Sequence, residues 1–214
     1  MDVTGVEGEA AGAEGAGARA VVVGEGEREP HPSDSLRTFG TVSLCTYECR
    51  LVPGLLQSEG YARALFENRI PLLTDEQLEA QVEARMERQR MLYERATVPF
   101  HFIVEEAVLR RRLGGAEVRR EQLNHVLEHT SPRNVALQIM PLEAEYHSCM
   151  DGPLRLLETP EGRRLAYSEG QESGRLIGDS KEVRVLQQRY DTLRSQALHP
   201  KDSRALLERL RGET

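Results

Sequence analysis

Apolar and polar residues alternate most cleanly at Phe100, Phe102 and Val104, and the pattern predicts a half-buried strand there. Pro99 stands just ahead of it, where no ladder donor is needed. The period then lengthens. Ala107, Val108, Leu109 and Leu113 fit one face of a helix, and Gly114-Gly115 supplies residues suited to a left-handed stop. Glu105 and Glu106 fall where the strand ends and the helix begins, so a carboxylate there meets the favourable end of the helix dipole.

The same pattern organises the chain on either side. From Thr38 to Leu51 the apolar residues Phe39, Val42, Leu44, Cys45 and Tyr47 suit a short helix or an extended lead-in, and periodicity does not decide between them. Pro53-Gly54 predicts a turn. Ser58 is a suitable N-cap for a helix carrying Tyr61, Ala64 and Leu65, which Asn68 to Leu73 breaks. Thr74-Asp75-Glu76-Gln77 predicts a capping box that opens a long helix to about Arg95, striped by Leu78, Val82, Met86, Gln89 and Tyr93. A further helix is predicted over Ala116 to Thr130, and Val135, Leu137 and Ile139 then mark a strand. After a polar loop come two short strands, 153–158 and 164–169, joined as a hairpin through Pro160-Glu161-Gly162. Gly170 to Ser180 reads as loop. Val183, Leu186, Tyr190, Leu193 and Ala197 stripe a helix from Lys181 to Leu198, and a last helix spans Asp202 to Arg211.

The predicted order is helices, strand, helices, three strands, helices. It implies an α+β fold, a small, mostly antiparallel sheet of about four strands packed with several helices, because strands and helices do not alternate regularly. Residues 1–38 are Gly, Ala and Glu with few branched or aromatic residues, a composition that predicts a disordered tail ahead of one domain over 39–212.

Composition narrows the function classes. The formal net charge of -7 argues against a free-standing nucleic-acid binder, which needs a basic face. No run of 18 apolar residues predicts a membrane span. Cys45, Cys49 and Cys149 are an odd set without zinc spacing, so a reduced cytoplasmic protein is expected, with Cys45 and Cys49 as small core residues.

Candidate chemistry is sparse. Glu121, His125 and His129 share a helix face at ligand spacing, but that face lies opposite Leu123, Val126 and Leu127 and is expected to point to water, so no metal is expected. Arg85, Arg88 and Gln89 cluster beside a helix stripe, as either a solvated edge or a pocket wall. His147 lies in the polar loop, with Glu106, Tyr167 and Glu169 at strand ends. The candidate ligand-binding set is therefore Arg85, Gln89, Glu106, His147, Tyr167 and Glu169. With no phosphate loop or nucleophile elbow, no cofactor is expected, and any catalysis would be acid–base work by His147, Glu106 and Glu169.

Several segments in order carry a family resemblance: Pro53-Gly54-Leu55-Leu56-Gln57, Tyr61-Ala62-Arg63-Ala64-Leu65, Arg85-x-x-Arg88-Gln89, Glu105-Glu106-Ala107-x-Leu109-Arg110-x-x-x-Gly114-Gly115 and Asn134-Val135-x-Leu137-Gln138-x-x-Pro141. His147, Gly152-Pro153, Tyr167-Ser168-Glu169 and Leu193-Arg194 continue the series. Over roughly residues 41 to 211 the chain resembles the uncharacterised C-terminal domain of actinomycete Xre-type, antitoxin-like regulators. In that family a helix-turn-helix precedes the domain, whereas residues 1–38 hold no helix pair. The resemblance implies a stand-alone regulatory or sensor module that binds a small ligand or a companion protein, with hetero-oligomerisation to a full-length regulator as one route, and without direct nucleic-acid or membrane contact. The alternative is a repurposed, cofactor-independent biosynthetic enzyme of isomerase, cyclase or lyase type.

Overall fold

The computed structural model describes residues 41–170 and 174–213. The reading of residues 1–38 as a tail lies outside the described residues. Strand β1 (Ser43–Glu48) leads through a 3-10 turn (Gly54–Leu56) into helices α1 (Glu59–Glu67), α2 (Asp75–Gln89) and α3 (Met91–Glu94). Strand β2 (Phe100–Glu105) follows, then α4 (Glu106–Arg110), α5 (Gly115–His129) and β3 (Val135–Met140). Strands β4 (Leu154–Glu158), β5 (Arg164–Glu169) and β6 (Gly174–Ile177) precede α6 (Ser180–Gln196) and α7 (Pro200–Gly212).

These strands form one mixed, six-stranded sheet in the order β3-β2-β1-β4-β5-β6. The expectation of about four mostly antiparallel strands is thereby corrected, although the α+β class stands. β1, β2 and β3 run parallel, with Leu44 opposite Phe100 and Phe100 opposite Val135. β4 joins the other edge of β1 antiparallel, and the hairpin to β5 and the further strand β6 extend the sheet. The correction has two physical sources. β1 is the strand at which direction reverses, buried on both faces toward its end, so its alternation is blurred. β6 is a four-residue edge strand with Arg175 and Leu176 exposed, too short to show a period. Once β1 is a strand, the first half of the domain alternates strand and helix, and parallel pairing with helical crossovers follows.

Each face of the sheet has its own core. Phe100, Phe102 and Val104 point to one side, where Leu123, Val126 and Leu127 of α5 and Leu206, Leu207 and Leu210 of α7 cover them. Tyr47 and Ile103 point to the other, beneath Val183, Tyr190 and Leu193 of α6. Local signals mostly hold. Ser58 Oγ accepts from Tyr61 N, and Thr74 and Gln77 complete the capping box. The long helix divides at Arg90, which leaves Tyr93 half-exposed rather than on the stripe. The last helix starts at Pro200 with His199 as its cap, and Ser203 turns inward to accept from Ile139 N, covering the outer edge of β3. Among the described residues no helix is long and apolar enough to cross a membrane.

Gly114 illustrates why a sequence signal can be right in conformation and different in use. It adopts φ 74°, yet it opens α5 rather than closing α4. A Cβ there would lie 2.9 Å from Ala64 Cβ and 3.0 Å from Val118, whereas at Gly115, φ 95°, it would meet nothing. Gly114→Ala is expected to cost about 2–3 kcal/mol, from left-handed strain plus a clash. Gly115→Ala should cost only the strain, about 1–2 kcal/mol. Chemical denaturation of both variants checks the difference; equal losses would mean that α1 and α5 are not packed this closely.

Candidate functional site

The carboxyl ends of β1 and β2 and the facing ends of β4 and β5 bring charged groups together on both faces of the sheet. Because side chains alternate along a strand, Tyr47 and Glu48, neighbours in β1, serve opposite faces.

On the α6 face, Tyr47 Oη donates to Glu105 Oε1 at 2.8 Å. His147 Nε2 lies 3.2 Å from the same oxygen and 3.3 Å from the phenol. The phenol and imidazole rings meet edge to face, with centroids 5.5 Å apart. His147 Nδ1 accepts the Cys149 N–H at 3.2 Å, so in the neutral ring the proton resides on Nε2 and is given to Glu105. Both imidazole nitrogens are thus committed, and the lone pair a general base would use is already engaged. Burial, followed by the bond to Glu105 and that group's charge, pushes the Tyr47 phenol far above its usual pKa. Tyr47 and His147 are buried. Their geometry ties the loop between β3 and β4 to the sheet, and the exposed Leu142, Tyr146 and Met150 lie on the same loop.

On the opposite face the groups are more accessible. Arg155 of β4 reaches Glu48 at 2.8 Å and Glu169 of β5 at 3.4 Å. Arg50 lies 4.0 Å from the Glu169 carboxylate and donates to its backbone oxygen. Glu48 is buried, and that burial raises its carboxyl pKa even though Arg155 opposes the shift. Arg85 projects from α2 toward this network. Its Nη1 donates to Gln57 Oε1 at 2.6 Å, and its guanidinium carbon stands 5.1 Å from the Phe66 ring centroid. Burial, reinforced by the Arg88 and Arg155 charges, lowers the Arg85 pKa to about 10, so it remains a cation at neutral pH. Tyr167 packs its ring and hydroxyl across Gly174 of β6, where even a Cβ would collide with it.

The sequence candidates therefore divide between several places. Arg85, Tyr167 and Glu169 belong to the accessible face. His147 belongs to the enclosed trio, where its carboxylate partner is Glu105 rather than Glu106. Glu106 is buried, paired with Arg110 at 2.6 Å, and accepts the Leu142 N–H, so it anchors the start of α4 to the chain after β3. Gln89 is a buried tie that donates to the carbonyls of Gly54 and Gln57. Among the described residues no contact joins His147, Glu106 and Glu169 into one catalytic set. Tyr47, Glu48, Arg50, Gln57, Glu105 and Arg155 are not among the sequence's site candidates, although Glu105 is placed at the strand end. The available signal was the run Tyr47-Glu48-Cys49-Arg50 at the end of a strand.

The remaining histidine pair is also not where its spacing placed it. His125 and His129 are half-buried, not turned to water, and their rings stack with centroids 3.7 Å apart. His125 Nε2 pairs with Gln89 Oε1, and burial, with help from His129, lowers its pKa to about 4. Glu121 instead accepts from Gly60 N. Among the described residues no group of three or more His, Cys, Asp or Glu side chains is disposed to hold a metal. An open cleft of about 270 Å³, lined in part by Cys45, Glu158, Arg164 and Asp191, lies at the other end of β1 and β4. It is remote from both polar clusters, and the strand-end groups are the better candidate because they concentrate buried charge.

An α+β domain with a mixed sheet and a guanidinium–carboxylate network at its strand ends is the class that fold and site define. A model described as a domain of unknown function, DUF5753, matches residues 41–209 of the 214, and the chain belongs to that family. No curated protein and no solved structure matches the chain.

Proposed function

We propose that this domain is a regulatory or sensor module that holds a small ligand at the accessible strand-end network, in the way expected of the C-terminal domains of Xre-type regulators, and that it does not itself read DNA. The observation carrying this reading is Arg85. It is a half-buried guanidinium whose protein partners are one amide oxygen and an aromatic face, and it makes no ion pair among the described residues. Removing a cation even partly from water with no carboxylate bonded to it is costly, and a site that completes itself with a ligand offsets that cost. The formal charge of -7 supports the exclusion of DNA, since the long-range field repels phosphate. The acid–base alternative is less well supported, because both nitrogens of His147 are engaged.

Incubation with the small-molecule fraction of a lysate from the source organism, followed by native mass spectrometry, tests the proposal. The expected result is a retained small molecule recovered chemically unchanged. A folded protein that retains nothing would overturn the reading, and new product masses in the fraction would favour the enzymatic alternative.

A further inference from the structure

The chemistry around Arg85 narrows the class of ligand, an inference that rests on the ligand-binding reading above. A guanidinium offers five N–H donors in a planar fork, and here Gln57 takes one of the Nη1 donors. The two carboxylates whose charges act on Arg85, Glu169 and Glu48, are already held by Arg155, with Arg50 also beside Glu169. They are therefore committed, and they do not complete the Arg85 fork. An uncharged ligand would leave the half-buried cation without a directly bonded counter-charge, whereas a cationic one would meet Arg85, Arg88 and Arg155 together. The group that satisfies both the donors and the charge is an oxyanion, which the fork grips in two-pronged fashion.

Access is consistent with this. The Arg50 and Glu169 side chains keep 40% and 35% of their surface exposed, and Arg85 is itself only half-buried, so neither the network nor the guanidinium is sealed from solvent. Phe66 backs the guanidinium and limits its rotation, and Gln57 is itself fixed by donating Nε2 to the Val52 carbonyl at 2.7 Å. The fork is preorganised, which lowers the entropy lost on binding. We infer that Arg85, held by Gln57 and Phe66 beside the Arg155–Glu48–Glu169 network, is the receptor for an oxyanion group of the ligand, either a carboxylate or a phosphate.

Arginine-selective nitrogen-15 NMR of the intact protein tests this with orthophosphate and acetate as separate probes, each compared with chloride at matched ionic strength. The expected result is a saturable shift of the Arg85 Nε–H signal, with the exposed Arg164 and Arg175 signals following chloride alone. Saturation by orthophosphate but not acetate assigns the phosphate source, and the reverse assigns a carboxylate. Arg85→Lys, which keeps the charge and loses the fork, should weaken the stronger probe by roughly 10- to 100-fold. Arg85 shifts that merely follow chloride would overturn the inference. If the protein at the same time retains an uncharged metabolite from lysate, the ligand-binding reading stands without it; if it retains nothing, both fall. The wild-type titration decides the matter even if the variant folds poorly.

Discussion

Replacing Arg155 by alanine is expected to remove about 3–5 kcal/mol of stability at neutral pH, because it leaves the Glu48 carboxylate buried without its partner. The loss should depend on pH in a definite direction. Burial already holds the Glu48 pKa above its usual value, and Arg155 is the largest influence pulling it down. Without Arg155 the folded-state pKa rises further. A carboxyl whose folded pKa exceeds its unfolded one contributes stability that is present below the unfolded pKa and is lost as pH rises through the folded one. The variant should therefore approach wild type in acid, where folded Glu48 is protonated, and fall furthest behind above the raised pKa. Glu48→Gln in the same background should restore most of the loss, since a neutral amide carries a far smaller desolvation penalty. Urea titrations of the wild type, both single variants and the double variant across pH close the cycle. A double variant no more stable than Arg155→Ala would mean that the loss comes from Glu169 or from packing, not from a stranded Glu48.

That network was only partly legible in the sequence, for reasons that follow from the strand in which it begins. The strand over Phe100 to Val104 announces itself because one face is wholly apolar and the other carries His101 and Glu105. β1 offers no such contrast. Leu44 serves one core and Tyr47 the other, while Thr46 and Glu48 are buried polar residues on the same face as Leu44. Leaving residues 38–51 open between a helix and an extended lead-in removes the first term of a strand–helix alternation, and with it the parallel half of the sheet. The same omission hid the site, since Glu48 and Arg50 matter only as the end of a strand next to β4. The hairpin of β4 and β5 was more transparent, because Gly162 takes φ 75° in the turn its neighbours advertise.

The choice between Glu105 and Glu106 shows a different limit. Adjacent residues at the junction of a strand and a helix point to different surroundings, and a shift of one position sends a carboxylate to the other face. Glu105 still follows the strand and meets Tyr47 and His147. Glu106 has entered the helix and meets Arg110 four residues on, a pair that helical spacing alone would have supplied. Neither partner of Glu105 is near it in sequence, so no local pattern could have found them.

Tyr47→Ala should be as damaging as loss of Arg155, at about 3–5 kcal/mol, since it empties the space of a buried aromatic ring. Tyr47→Phe separates the ring from its hydroxyl and should cost about 1.5–3 kcal/mol, the range for a hydrogen bond to a charged group. Hydrogen exchange locates the consequence. In Tyr47→Phe the ring still braces His147, Nδ1 still accepts from Cys149, and that amide should stay protected. In Tyr47→Ala the imidazole loses its wall, and protection at Cys149 should fall by more than the global loss of stability accounts for. A Tyr47→Phe variant within about 0.5 kcal/mol of wild type, the ordinary range for a surface change, would show that the phenol and Glu105 are not coupled. Unaltered Cys149 protection in Tyr47→Ala would show that the loop is held by something other than this trio. The expected outcome makes His147 a fastening between loop and sheet, which leaves the proposed ligand recognition to the arginines on the other face.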